Sequence, residues 1–325
     1  MFSRKKTENR TRLFFATDIH GSEQCFRKWL NAAKVYEPDV LILGGDVTGK
    51  MLIPLVAQSD GTWRGSLHDR PVHARDSEEL AELQKQIRAM GRYPVVVDPD
   101  EKAELDASPD HLDAVFRQAM RDTLGQWVSL AEERLGGLGI PAYTMLGNDD
   151  FDDLADVLRG SDIVHYAEDG IFELPGGYEM LSIGYSTPTP WHTSRELSEA
   201  EVQAKIDDLA ARLKDPATAI FNVHCPPHDT HLDQAPQLDE NLRPVVDASG
   251  LRMASVGSTA VRSSLETIEP LLGLHGHIHE SAAAQKLGRT LSVNPGSDYH
   301  DGVLRGVIID LDPVKGVKRW QMVQG

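Results

Sequence analysis

The sequence predicts an α/β fold with mixed sheets, on three observations. Strand-like and helix-like segments alternate from the start of the chain. The apolar runs are short and rich in β-formers. Most of these runs end in a polar, glycine-bearing loop.

After a basic, charged tail, "RLFFAT" reads as a first strand. "EQCFRKWLNAAKVY" then spaces Cys25, Phe26, Trp29, Leu30 and Ala33 along one helical face. "DVLILGGD" is a continuous apolar run and reads as a buried strand. This β-α-β opening predicts a parallel pair with a right-handed crossover. Residues 50 to 110 break the alternation and read as an insertion, a hairpin plus a helix, within one domain spanning 1–325. "SDG" signals the hairpin. "DSEELAELQKQIRAM" is a helix capped by Asp76 or Ser77 and stopped at Gly91. The acidic, proline-punctuated stretch from Asp98 to Asp110 reads as an exposed connector. The core resumes with a helix from about Asp110 to Leu135 and the strand "IPAYTML". "GYEMLSIG", "TAIFNVH", "LLGLHG", "TLSV" and "GVLRGVIIDLD" are the later strands, with a helix over Glu196 to Leu213 between the first two.

Composition limits the function. With 40% hydrophobic residues among 325, the chain can bury a substantial core, and no apolar run reaches membrane-spanning length. "LFFAT" is too short for the core of a signal peptide. Cys25 and Cys225 lie far apart and form no metal-binding pair, which fits a reducing, cytoplasmic setting. The net charge of −17 argues against long nucleic acid as a partner, because such binding needs a basic surface. It leaves room for a small anionic substrate held at cations.

The chemistry collects at the strand ends. "TDIHG" brings Asp18 and His20, "GGD" brings Asp46, and "GNDD" brings Asn148. "TAIFNV" leads into His224, and "GLHGHIHES" carries His275, His277 and His279. Loops after the strands of an α/β sheet converge on one edge, where ligands bind. Five strand ends delivering Asp, Asn and His are hard to explain as core packing.

The ordered set D-x-H, G-D, G-N, H and G-H-x-H resembles the calcineurin-like metallophosphoesterase family. "GGDVTGK", "STPTPW", "HCPPHDTHLD" and "GSTAVRSSLE" look like its Icc-related subgroup. The resemblance implies a four-layer αββα sandwich of two mixed sheets flanked by helices, with an insertion after the second strand. It also implies two divalent metals. One would take Asp18, His20 and His279, the other Asn148, His224 and His277, with Asp46 between them. An all-nitrogen-and-oxygen set suits Mn²⁺ first, and Fe or Zn²⁺ as well. The implied reaction is hydrolysis of a phosphodiester or phosphomonoester, nucleotides among them, by a hydroxide that the two metals activate. His275 is expected to be a buried, supporting histidine. Glycines 44, 45, 147 and 276 are expected to let the backbone turn tightly.

One position departs from the family pattern. Many members have histidine after the Asn, where this chain has Asp149. An ionised carboxylate there donates no proton and repels phosphate. Three readings stay open: a leaving group stable enough to depart unaided, Asp149 itself orienting a water or hydroxyl, or another group replacing the missing acid. For that last role His228 is the first choice, then His192, His231 and His300. Arg262 is expected either to clamp phosphate or to pair with a carboxylate, and Trp191 to pack in preference to stacking on a base. Two other readings of the whole chain stay open, a non-catalytic scaffold and a nuclease for short nucleic acid. Oligomeric state is open as well.

Overall fold

The computed structural model describes residues 10–248 and 250–325, so most of the basic tail lies outside the described residues. Strand β1 (Thr11–Ala16) sends Leu13 and Phe15 to one side and Phe14 and Ala16 to the other. This period of two lets one strand serve two cores. Helix α1 (Glu23–Val35) starts at Ser22, whose hydroxyl accepts from the Cys25 N–H. Strand β2 (Val40–Gly44) then pairs parallel to β1, as the opening pattern predicts.

The segment read as an insertion follows. Strands β3 (Leu52–Ala57), β4 (Trp63–Leu67) and β5 (Arg70–Ala74), helix α2 (Ser77–Ala89) and strand β6 (Tyr93–Val97) build a separate four-stranded sheet in the order β5-β4-β3-β6. Ile53, Leu55 and Ile87 form its small core. The stretch from Asp98 to Asp110 is not an exposed connector. It holds helix α3 (Pro99–Ala107) and the start of α4 (Pro109–Leu135), capped by Asp98 and Ser108. Both prolines occupy the first turn, where a missing N–H costs nothing, so they open the helices instead of breaking them.

Strand β7 (Ala142–Met145), helix α5 (Ala155–Arg159) and strand β8 (Val164–Tyr166) extend the first sheet. Strands β9 (Gly170–Leu174) and β10 (Tyr178–Ile183), helix α6 (Glu199–Ala210) and strand β11 (Ile220–Val223) enter the second. The chain then makes two short ribbons, β12 (Gln234–Pro236) with β15 (Met253–Ser255) and β13 (Val246–Asp247) with β14 (Gly250–Leu251). Helix α7 (Thr259–Ile268) and strands β16 (Leu272–Leu274), β17 (Ala283–Leu287) and β18 (Thr290–Asn294) complete the second sheet. Strands β19 (Arg305–Asp312) and β20 (Gly316–Gln324) return to the first.

The two mixed six-stranded sheets run β20-β19-β1-β2-β7-β8 and β17-β18-β16-β11-β10-β9. Leu13, Phe15, Val40, Ile42, Met180 and Ile220 lie in the core between them. Alternate residues face outward. Phe14, Leu41 and Leu43 pack with α1 and α4, while Leu181, Phe221 and Val223 pack with α6 and α7. The result is four layers, helix–sheet–sheet–helix. Helix α6 starts three residues later than the sequence suggests. Ser198 and Glu201 form a capping box there, and Glu196 is engaged in the preceding loop. Cys25 and Cys225 are buried free thiols. Among the described residues no helix is long and apolar enough to cross a membrane.

The insertion is fastened to the edge of the main sheet. Ser22 Oγ donates to the Ala89 carbonyl at 2.7 Å, and the Gly49 N–H donates to Tyr93 Oη at 2.7 Å. Gly91, at φ +74°, lies so close to the His20 carbonyl that a Cβ would overlap it. Gly61, in the β3–β4 turn, has φ +82° but nothing within 4 Å of a Cβ. Both Gly→Ala variants therefore incur the left-handed penalty of about 1–2 kcal/mol, and only Gly91→Ala adds the overlap. Urea denaturation should show Gly91→Ala losing at least about 1 kcal/mol more than Gly61→Ala. Equal losses would mean that the insertion yields freely at this seam.

Candidate metal centre

Strands β1, β2 and β7 run parallel, as do β11 and β16, so the loops after them open at common sheet edges. Asp18, His20, Asp46 and His279 form one group of potential ligands, and Asp46, His224 and His277 form a second. Within each group the ligand atoms lie within 4.8 Å of one another, and Asp46 belongs to both.

The nitrogens and oxygens converge. His20 Nε2 is 2.9 Å from His279 Nε2 and 3.6 Å from Asp46 Oδ2. His279 Nε2 is 3.5 Å from Asp18 Oδ1, and His224 Nε2 is 3.4 Å from Asp46 Oδ2. His224 Nδ1 lies 2.8 Å from the Gly44 carbonyl, which fixes the ring with Nε2 turned inward. That Nε2 and Asn148 Oδ1 are buried without a hydrogen-bond partner. Orphaned polar atoms of this kind need explaining, and a bound cation would satisfy them.

Electrostatics point the same way. Asp18 and Asp46 are both 1% exposed. Burial works to raise the Asp18 carboxyl, but His279 and His224 bring it down to about 2. Burial disfavours charge on His224, yet Asp46 and Asp18 outweigh it and lift the imidazole to about 10. A site that draws a proton onto a fully buried ring favours positive charge. The donor set, two carboxylates with imidazoles and an amide oxygen, fits divalent cations.

The backbone accepts strain to bring these groups in. Asp18, His20, Asp46 and His277 all have positive φ, between 39° and 68°. Such outliers cost roughly 1–3 kcal/mol each and cluster at functional sites. Of the four expected turn glycines only Gly45 has positive φ. Gly147 and Gly276 are needed for a different reason: a Cβ on either would run into the Asp46 or Asp18 carboxylate.

Four loop residues that sequence reasoning passed over hold the ligand loops. Asp150, fully buried, accepts from the Val47 N–H at 3.0 Å, Thr48 N–H at 2.8 Å and Gly147 N–H at 2.8 Å, tying the Asp46 loop to the Asn148 loop. Asn148 Nδ2 donates to Thr193 Oγ1 at 3.0 Å, and Thr193 Oγ1 donates to Glu196 Oε1 at 2.8 Å. This relay orients the amide so that Oδ1 is the free atom. Buried Arg195 donates to the Gly147 carbonyl at 2.9 Å. Their only sequence signal was polarity near a strand end.

Asp149 donates its backbone N–H to Asp46 Oδ1 at 3.0 Å, and its carboxylate pairs with Lys50. Burial and Asp46 push the Asp149 carboxyl up to about 7, with Lys50 opposing. His228 is half-exposed, with Nδ1 3.7 Å from Asp233 Oδ2, and belongs to neither ligand group. His300 packs edge-on against Tyr299 with ring centroids 4.4 Å apart, and the Tyr299 ring in turn lies 4.7 Å from the His20 ring. Arg262 pairs with Glu266 and Asp229, the carboxylate role of the two expected for it. Trp191 is 64% exposed, not packed as expected, in a stretch where Pro190 and His192 are exposed as well.

No family model matches the chain. The uncharacterized protein MJ1162 of Methanocaldococcus jannaschii is 33% identical over 119 residues, 36% of this chain and 47% of that protein. The chain thus spans about half the length of the curated relative it matches. Two solved structures align over 97% of this chain and 99% and 98% of theirs, with TM-scores of 0.55 and 0.51 at 13% and 12% identity. The second is TT1561 of Thermus thermophilus. They show that the architecture is a known one. YfcE, a phosphoesterase from E. coli, aligns over 96% of this chain and 98% of its own at a TM-score of 0.32 and 11% identity, too weak a likeness to bear on function.

His275 lies outside both ligand groups, with Nδ1 2.8 Å from the Val223 carbonyl. Burial lowers its pKa to about 4. The unfolded chain, near 6.5, binds the proton first as pH falls, so stability is complete above about 6.5 and drains away below it. Between pH 7 and pH 5 the metal-free wild type should lose about 2 kcal/mol more than His275→Gln. Parallel curves would show that His275 charges freely in the fold.

Proposed function

We propose that the chain is a metal-dependent phosphoesterase acting on a small phosphorylated substrate. The observation that carries the reading is the pair of ligand groups sharing the buried Asp46. Asp18, His20 and His279 would hold one divalent cation and Asn148, His224 and His277 the other, with Asp46 common to both. Bound there, the cations would polarise a phosphoryl group and make hydroxide available near neutral pH. The protein's own part is placement. Thr193 aims Asn148, the Gly44 carbonyl aims His224, and Asp150 keeps two ligand loops in register. An uncharged amide at Asn148 limits the negative charge facing an anionic substrate. The net charge of −17 supports a small substrate, a nucleotide included, over long nucleic acid.

A screen of phosphomonoesters, phosphodiesters and cyclic nucleotides with Mn²⁺ added tests the reading. Turnover should appear with at least one class. Asp46→Ala should abolish it and lower the metal content measured by elemental analysis. Full metal content and normal turnover in that variant would remove Asp46 from the site.

The residue after Asn148 is an aspartate, and its carboxylate is engaged with Lys50. Divalent cations bound beside it would hold that carboxyl ionised, and the leaving group would then depart largely on its own stability. Nitrophenyl esters are expected to react much faster than alkyl esters of the same phosphoryl group, within the roughly 10²–10⁴-fold range of general-acid effects. A flat dependence of kcat/KM on leaving-group pKa would reveal a proton donor after all.

A further inference from the structure

Lys50 has no role toward the substrate in the reading above. It stands at the entry to the insertion, just after Gly49, whose N–H is fixed by Tyr93 Oη at 2.7 Å. Its ammonium pairs with the Asp149 carboxylate, and the Asp149 N–H bonds Asp46 Oδ1 at 3.0 Å. Asp149 Oδ2 also lies 4.0 Å from His20 Nδ1. The ion pair is therefore one residue away from the shared ligand, on the side of the site nearest His20.

Exposure separates the two partners. The Asp149 side chain is 15% exposed and that of Lys50 is 48% exposed. The carboxylate is the more buried partner, and the lysine side chain is half-exposed beside the site. An ammonium has three donors, and Asp149 is the partner described for this one, so capacity remains for an incoming oxygen. The pairing also removes the objection to a carboxylate at this position. Alone, an ionised Asp149 would repel a phosphate; paired with Lys50 the couple carries no net negative charge.

We propose that Lys50 is the protein's own cationic contact to the phosphoryl oxygens of the substrate, with Asp149 as the positioning residue that holds it there. The proposal rests on the phosphoesterase reading. It explains why the residue after Asn148 is an aspartate: its task is to anchor a lysine.

Inorganic phosphate is the probe, titrated calorimetrically into the Mn²⁺-loaded full chain, with metal content measured alongside. Lys50→Met should bind phosphate roughly 10- to 100-fold more weakly, the range for a charge-assisted hydrogen bond, with metal content unchanged. Lys50→Arg, which keeps the charge, should retain most of the affinity. Should Lys50→Met lose metal, Lys50→Gln removes the charge while keeping a polar side chain of similar reach, and the same weakening is expected. Asp149→Ala should weaken binding too, and the double variant should be little worse than Lys50→Met, since both changes remove one contact. Unchanged phosphate affinity in a fully metallated Lys50 variant would overturn the proposal and leave the phosphoesterase reading standing. Tighter phosphate binding in Asp149→Ala would show that the carboxylate only repels, and would overturn its positioning role. A metal-loaded wild type that binds no phosphate would bring down both readings.

Discussion

The structure turns on two carboxylates, Asp18 and Asp46, buried at the edge between two sheets. Among the described residues their ion-pair partners are histidines, with no arginine or lysine in contact. Buried charge without a full counter-charge costs several kcal/mol, and much of the surrounding architecture answers it. The His277 N–H donates to Asp18 at 3.0 Å, and the Asp149 N–H to Asp46 at 3.0 Å. Imidazoles from three loops fill the space between, and one of them is driven toward protonation. Cations in that space would discharge the field that these arrangements only partly balance. The left-handed residues and the glycines without room for a Cβ are then what it takes to bring so many polar groups together.

Those loops are braced from behind. Asp150 joins two of them, the Thr193–Glu196 relay fixes the Asn148 amide, and Arg195 holds a backbone carbonyl in the same turn. The insertion adds a further brace through its seam with the loop of His20. Its hairpin β4–β5 is largely exposed, but Tyr93 and Ala89 contact the main body. One end of the inserted segment is thus part of the site's support, and the other is free of it.

Much of this was legible in the sequence, for a physical reason. Asp18, His20, Asp46, Asn148, His224, His277 and His279 each lie in a loop just after an apolar strand, and buried polar residues at such positions require a purpose. The continuous apolar run Val40 to Leu43 marked a buried strand. The rest depended on which loops meet. Lys50, Thr193 and Glu196 are ordinary loop residues until folding sets one loop on another. Prolines and acids between Asp98 and Asp110 suit a connector and a helix's first turn equally, and only Asp98 and Ser108 as caps decide between them. Strand β20 went unread because an edge strand with one wet face carries little apolar signal.

The order of the first sheet also bears on how the chain reaches this state. Strand β1 sits between β2 and β19, so its residues Thr11 to Phe15 pair with Leu311 back to Val307, nearly the whole chain away. Such pairing closes a very long loop, which slows folding. Until residues 305–312 arrive, β1 has one open edge and carries Leu13, Phe14 and Phe15 beside it. A partly made chain would therefore expose an apolar strand edge for most of its synthesis, the kind of surface that chaperones bind and that aggregation exploits.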